Sequence, residues 1–91
     1  MNVIRTIGGS SVPVHCDITR DTCINIGLRN SDTFRTVIGY DSSELDFYNK
    51  PTQSYTMNDG DAYLISIKNA HCVESLITEA LPRYIITYNM M

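Results

Sequence analysis

The sequence predicts a small α+β protein: a single domain over residues 1–91, with a central mixed sheet of about five strands and two or three short helices. Three observations lead there. Extended segments rich in β-branched residues recur along the chain, clearest in Asp61 to Lys68, where Tyr63, Ile65 and Ile67 share one face. After Asn69, a good N-cap, the residues Val73, Leu76, Ile77, Ala80 and Leu81 repeat at helical spacing until Pro82 ends the run. A chain of 91 residues also allows one hydrophobic core and little beyond it.

The other elements follow in order. Asn2 to Ile7 is a short β-branched strand, broken by the turn formers Gly8-Gly9-Ser10-Ser11. A glycine-serine loop can bring its backbone close to a phosphate, but no defined phosphate-loop pattern is present, which favours a plain hairpin turn. Val12 to Ile18 is extended, and Pro13 suits an edge position. Thr19 to Leu28 reads two ways. Ile24, Ile26 and Leu28 alternate as in a strand, whereas Thr19 can cap a short helix; Gly27 weakens the helix and favours the strand. Asn30-Ser31-Asp32 is a turn and Thr33 to Gly39 a strand. A short helix is expected from Ser42 or Ser43 through Tyr48, with Glu44 and Asp46 in its first turn and Asn49-Lys50-Pro51 at its end. Gln53 to Met57 alternates again, Asn58-Asp59-Gly60 turns, and Tyr84 to Tyr88 is the last strand.

Composition narrows the function. No apolar run approaches a membrane span and the N-terminus lacks the features of a signal peptide, so a cytoplasmic protein is expected. Seven Lys and Arg against ten Asp and Glu give a net charge of −3, and the arginines are scattered singly. A chain that grips long nucleic acid would carry a basic stripe, whereas a small anionic ligand is compatible with this balance. Three cysteines with no Cys-x-x-Cys pair argue against a disulfide framework. The dipeptides His15-Cys16 and His71-Cys72 invite a metal reading. Adjacent strand side chains point to opposite faces, so each dipeptide offers at most one ligand to a site. No metal and no cofactor are therefore expected.

The stretch with most chemistry is Val37-Ile38-Gly39-Tyr40-Asp41-Ser42-Ser43. A strand ending in a polar turn at a helix N-terminus offers free backbone N–H groups and the positive end of the helix dipole to an anion. Ile38-Gly39-Tyr40-Asp41-Ser42-Ser43 resembles the Ile-Gly-His-(Asp/Glu)-(Ser/Ala)-Thr motif of the viral ring nucleases, anti-CRISPR proteins that destroy cyclic tetra-adenylate. Met57-Asn58-Asp59-Gly60-Asp61-Ala62-Tyr63-Leu64-Ile65 is similar to that family's Met-x-x-Gly-Asp-x-Ala-Leu-Ile strand. The family's later Arg-Leu-x-Glu-Gly motif falls on His71-Cys72-Val73-Glu74-Ser75, and Asp17-Ile18-Thr19-Arg20-Asp21 resembles the segment that opens a family helix. The family's histidine is Tyr40 here and its arginine is His71.

The resemblance implies a metal-independent reaction in which a ribose 2′-hydroxyl attacks the adjacent phosphorus. Positioning and charge stabilisation are its large terms, and a general acid adds a further ~100- to 10,000-fold. It assigns catalytic roles to Tyr40, His71 and Glu74, and ligand contacts to Ser10, Ser11, Gly39, Asp41, Ser42 and Ser43. Tyrosine is a poorer acid near neutral pH than histidine. The expected function is thus an anti-defence protein that sequesters a cyclic oligonucleotide messenger, with slow ring-nuclease cleavage as its enzymatic form. The alternative is a protein-binding inhibitor of a host enzyme or defence effector on the same scaffold. The family's dimers, and the exposed strands of so short a chain, both imply a homodimer or higher homo-oligomer.

Overall fold

The computed structural model of the protein describes residues 1–17 and 21–90. The end of the Val12 to Ile18 segment and the Thr19 cap fall outside the described residues. Where the sequence predicts α+β, the chain folds almost wholly as strands: β1 (Asn2–Ile7), β2 (Val12–His15), β3 (Thr22–Arg29), β4 (Phe34–Gly39), β5 (Thr52–Tyr55), β6 (Ala62–Ser66), β7 (His71–Ser75) and β8 (Pro82–Met90). The helical turns among the described residues are two three-residue 3-10 segments, Ser31–Thr33 and Phe47–Asn49.

The strands form two antiparallel sheets, in the orders β1-β8-β3-β6 and β2-β7-β4-β5. β1 pairs with β8, β2 with β7, β3 with β6 and β4 with β5, all antiparallel. This is one long hairpin with β4 and β5 at its tip, rolled so that alternate arms fall in opposite sheets. That connectivity is the eight-stranded jelly roll. The two sheets stack face to face, within overall extents of 31 × 28 × 17 Å. None of the helices among the described residues is long and apolar enough to cross a membrane.

Two expected helices are strand and loop instead. From Asn69 to Leu81 the helical spacing of Val73, Leu76, Ile77, Ala80 and Leu81 is overridden, and β7 lies between β2 and β4 in the middle of its sheet. His71, with its partner Ile38, and Val73, with Thr36, face the other sheet, while Cys72 faces outward. The outward side is itself covered, so Ala70, His71 and Cys72 are all buried and the alternation that marks a strand disappears from the sequence. The cover is the second misread segment, the loop between β4 and β5. It forms only the 3-10 turn Phe47–Asn49, and it lays Phe47 against Val37, Ala70 and Cys72, with Val14 and Cys16 alongside.

The other outer face has no such cover. Alternation along β1, β8, β3 and β6 places Val3, Ile86, Ile26 and Ala62 in one transverse row, and Tyr88, Ile24 and Leu64 in the next. Val3, Leu64 and Tyr88 are 60 %, 64 % and 42 % exposed, so this face presents apolar side chains to solvent.

Loop chemistry joins the sheets. Asp59, in the β5–β6 turn, accepts hydrogen bonds from the Ser31 backbone N–H (3.0 Å) and hydroxyl (2.7 Å). Gly27 passes so close beneath this junction that a Cβ there would meet the Ser31 hydroxyl and lie 2.8 Å from the Asn58 carbonyl oxygen. The Ser31 hydroxyl and backbone bonds hold the Asp59 carboxyl below its ordinary range. A carboxylate depressed on folding stabilises the native state fully above its unfolded pKa of about 3.9, and that stabilisation is lost as pH falls through the folded value. Asp59→Asn is therefore expected to lower unfolding free energy by a constant amount between pH 5 and pH 7, and the gap should close below about pH 4 in urea titrations. A gap that stays constant down to pH 3 would show that Asp59 does not titrate against this junction.

Candidate functional site

The residues singled out in the sequence separate into four places. Gly39, Tyr40, Asp41, Ser42 and Ser43 end β4 and enter the covering loop. Tyr40 is 64 % exposed, beside a hollow of about 290 Å³ lined also by Phe47, Lys50 and Pro51. The loop consumes its own anion-binding donors: an Asp41 carboxylate oxygen accepts from the Ser43 N–H at 3.0 Å, and the Ser43 hydroxyl accepts from the Leu45 N–H at 3.2 Å. The other Asp41 oxygen lies 3.6 Å from the Lys50 ammonium. Asp41 thus stands where a bound anion would, and no helix follows to lend a dipole.

Glu74 lies elsewhere. It is on the outer side of β7, ion-paired with Arg35 of β4 at 2.7 Å. Arg35 and Tyr40 are five residues apart on nearly straight chain, about 17 Å. Ser10 and Ser11 sit at the far end of the sandwich in the β1–β2 turn. There the Ser10 hydroxyl donates to the Ile7 carbonyl, and the neighbouring Gly9 N–H donates to the Ser75 hydroxyl at 2.8 Å. His71 alone of the set faces the interior. Tyr40, His71 and Glu74 share no hollow.

The interior is where unsatisfied chemistry collects. Between the sheets, beneath β1, β8, β2 and β7, lies a cavity of about 210 Å³ lined by polar as well as apolar side chains, among them His15, Asn25, Thr36, His71, Arg83 and Thr87. Its walls include the exposed residues Ile4 and Asn89, so it communicates with solvent. The alternation of β8 explains the polarity. Arg83, Ile85, Thr87 and Asn89 point inward while Tyr84, Ile86 and Tyr88 point out.

Arg83 is 5 % exposed. Its guanidinium lies over the Phe34 ring at 4.7 Å and donates one hydrogen bond, to the Thr6 hydroxyl at 3.3 Å. Its Nε–H has no partner, and none of the carboxylates among the described residues pairs with it. Burial pushes its pKa down, opposed by the nearby Tyr55, yet arginine stays protonated in proteins. A buried cation compensated only by an aromatic face and one hydroxyl is an expensive arrangement.

His15 and His71 reach this cavity from opposite strands, and a β-bulge brings them together. Val12 pairs with Val73 and His15 with His71, so β2 spends three steps where β7 spends two. The extra residue falls at Pro13 and Val14, returning His15 to the inner face and turning Val14 and Cys16 to the outer cluster. Each His-Cys dipeptide thus sends its histidine inward and its cysteine outward. The imidazole centroids are 4.2 Å apart, tilted at 57°. His15 Nδ1 lies 2.8 Å from the Pro13 carbonyl and His71 Nδ1 2.7 Å from the Asn69 carbonyl. A carbonyl only accepts, so both Nδ1 atoms carry a proton, and in the neutral form of each ring the lone pair lies on Nε2. Burial pushes the His71 pKa down, helped by His15 and opposed by the Asn69 bond and the charge of Asp17. Burial chiefly pushes the Cys16 and Cys72 thiol pKa values up, which lowers their thiolate fraction. Among the described residues no three His, Cys, Asp or Glu side chains group closely enough to hold a metal ion.

The sequence reading passed over Arg83, Asn25, Thr36 and Thr87. The available signal was the rhythm of residues 83–89, which fits a strand with polar groups on either side of the sheet. Compared with known proteins, the chain matches no family model, no curated protein and no solved structure. The site must speak from its own geometry.

Arg83→Met keeps the unbranched apolar stem of the side chain while removing the guanidinium that lies over Phe34, and with it the buried charge. The variant is expected to be at least as stable as the wild type in urea or thermal unfolding. A loss above about 2 kcal/mol would show that the stacking on Phe34 and the Thr6 bond outweigh the cost of burying the charge.

Proposed function

We propose that this protein is a small-ligand-binding jelly-roll module whose ligand is an anion, a carboxylate or phosphate group, held between the sheets by Arg83. The observation that carries this reading is the buried guanidinium with an unpaired Nε–H beside a solvent-connected cavity. Guanidinium pairs with carboxylate and phosphate through parallel hydrogen bonds, and a desolvated setting strengthens each of them. Asn25, Thr36 and Thr87 line the same cavity and offer neutral donors and acceptors to the rest of the ligand. A volume of about 210 Å³ corresponds to about seven waters, room for one small anion. The expected cyclic oligonucleotide is carried into this proposal for its charge and not for its size.

The test is thermal shift and calorimetry with inorganic phosphate, acetate and malonate, alongside a panel of cyclic di-, tri- and tetranucleotides. At ten times its dissociation constant a bound anion stabilises by about 1.4 kcal/mol, a shift of about 6–11 °C for a domain of this size. The wild type should show that shift with at least one small anion and Arg83→Met should not. Absence of any shift, or an equal shift in the variant, removes the reading. A cyclic nucleotide bound equally by wild type and Arg83→Met would move the site to the loop that carries Tyr40.

We further propose that the uncovered face of the β1-β8-β3-β6 sheet joins a second copy of the chain. The charged strand residues of that face are Arg5 and Arg29, both registered beside Tyr84 at one end of it, and Arg5 donates to the Tyr84 hydroxyl at 3.2 Å; the rest of the face is uncharged, so a fitting partner is uncharged there. The same face of a second copy meets that condition, in a two-fold arrangement. Light scattering after gel filtration should show a concentration-dependent dimer that Leu64→Glu and Ile86→Glu each convert to monomer. A wild type that stays monomeric at millimolar concentration would overturn this.

A further inference from the structure

Two imidazoles that lie side by side on paired strands at the wall of the cavity, each with Nδ1–H anchored to a backbone carbonyl, form the usual outer-shell arrangement of metal-ligating histidines. In such sites the second nitrogen donates to a carbonyl or carboxylate, which fixes the tautomer and aims the lone pair of the first. Here the arrangement occurs twice, at 2.8 Å to Pro13 and 2.7 Å to Asn69, on rings whose centroids are 4.2 Å apart. In both cases the acceptor is the carbonyl two residues upstream, so each strand supplies its own anchor.

We infer that His15 and His71 bind one divalent first-row transition ion, Cu(II), Ni(II) or Zn(II), through their Nε2 atoms. Rings whose centroids are 4.2 Å apart can bring their Nε2 edges within the bite of one ion by swinging towards each other. Metal–nitrogen bonds of about 2.0–2.1 Å place two ligating nitrogens no more than about 4.2 Å apart. Imidazole suits these three ions, whereas Mg(II) and Ca(II) require oxygen ligands that this pair does not offer. With only two protein ligands the ion keeps open positions, filled by water or by an anion in the same cavity. The bulge at Pro13 and Val14 gains a purpose on this reading, since a regular β2 would turn His15 outward and leave His71 alone. The site rests on the histidines and not on Arg83, so it goes beyond the anion-binding reading and stands apart from it.

The experiment uses the tag-free, metal-stripped 91-residue chain. Calorimetry with NiCl₂ should give one ion per chain, with affinity at least tenfold weaker in His15→Phe and in His71→Phe. A wild-type affinity no greater than that of the histidine variants overturns the proposal. Because His71 is buried and its variant can fail to fold, the wild type is also examined by long-range ¹H–¹⁵N spectra of its imidazoles. Before metal, both rings should report Nδ1–H and bare Nε2; one equivalent of ZnCl₂ should shift both Nε2 resonances while both Nδ1 protons are retained. Movement of one ring only, or of neither, overturns the proposal independently of any variant. Phosphate binding measured in EDTA tests the anion site separately.

Discussion

The guanidinium of Arg83 is buried between two sheets without a carboxylate, and much of the surrounding structure answers to that one charge. Phe34 lies beneath it and Thr6 accepts from it. The Tyr55 hydroxyl, whose proximity supports the charged form, is likewise buried without a partner. A sandwich interior normally closes with interdigitating apolar side chains from both inner faces. This one does so on the side of β3, β6 and β4, where Cys23, Ile65 and Ile67 pack with Ile38, Tyr55 and Tyr63 and form an apolar wall of the cavity. The β1–β2 side stays polar and open.

That asymmetry divides the molecule into a stabilising half and a chemical half. A domain of 91 residues has a small core, and this chain supplements it outside the sandwich. Phe47, folded back over β4 and β7, makes a second apolar cluster with Val37, Ala70 and Cys72. The Gly39 N–H donates to the Ala70 carbonyl and the Ala70 N–H to the Asp41 carbonyl, each within 2.9 Å, so the covering loop is tied at its root. Residues that resemble a ring-nuclease motif thus serve here as a cover and its hinge-point. The jelly roll hosts many unrelated activities, so the argument for binding rests on the cavity and not on the architecture.

How much of this was legible in the sequence depends on where each strand lies. β1, β4, β6 and β8 were readable because β-branched runs are bounded by glycine, asparagine or proline, whereas the segment of β3 was only favoured as a strand over a short helix. Pro13 correctly pointed to an edge, since β2 borders its sheet. β7 was not legible, because both of its faces are buried and its apolar residues happen to continue at helical spacing to Leu81. The helix expected after Ser43 failed because Phe47 gains more by packing on Val37 and Cys72 than a single exposed turn gains from its caps. Opposite orientation of the two side chains in a His-Cys dipeptide was predictable from strand geometry. That His15 would meet His71 was not, since the meeting depends on a bulge and on a pairing of residues far apart in the chain. Arg83 was missed because alternation is ordinarily read with polar groups outward.

The inverted polarity of β8 bears on how the chain finds its register. Sliding β8 by one residue would turn Tyr84, Ile86 and Tyr88 into the interior and expel Arg83, Thr87 and Asn89, giving a drier sandwich by composition alone. Hydrophobic patterning therefore cannot select the native alignment of this strand. Selection falls to particular fixtures: the Asn30 side-chain amide donating to the Pro82 carbonyl at 2.8 Å, the irregular step opposite Gly27 and Arg29, and the seat of Arg83 on Phe34. A chain that keeps polar side chains inside in this way must reject the shifted alignment by those local contacts rather than by burial of apolar surface.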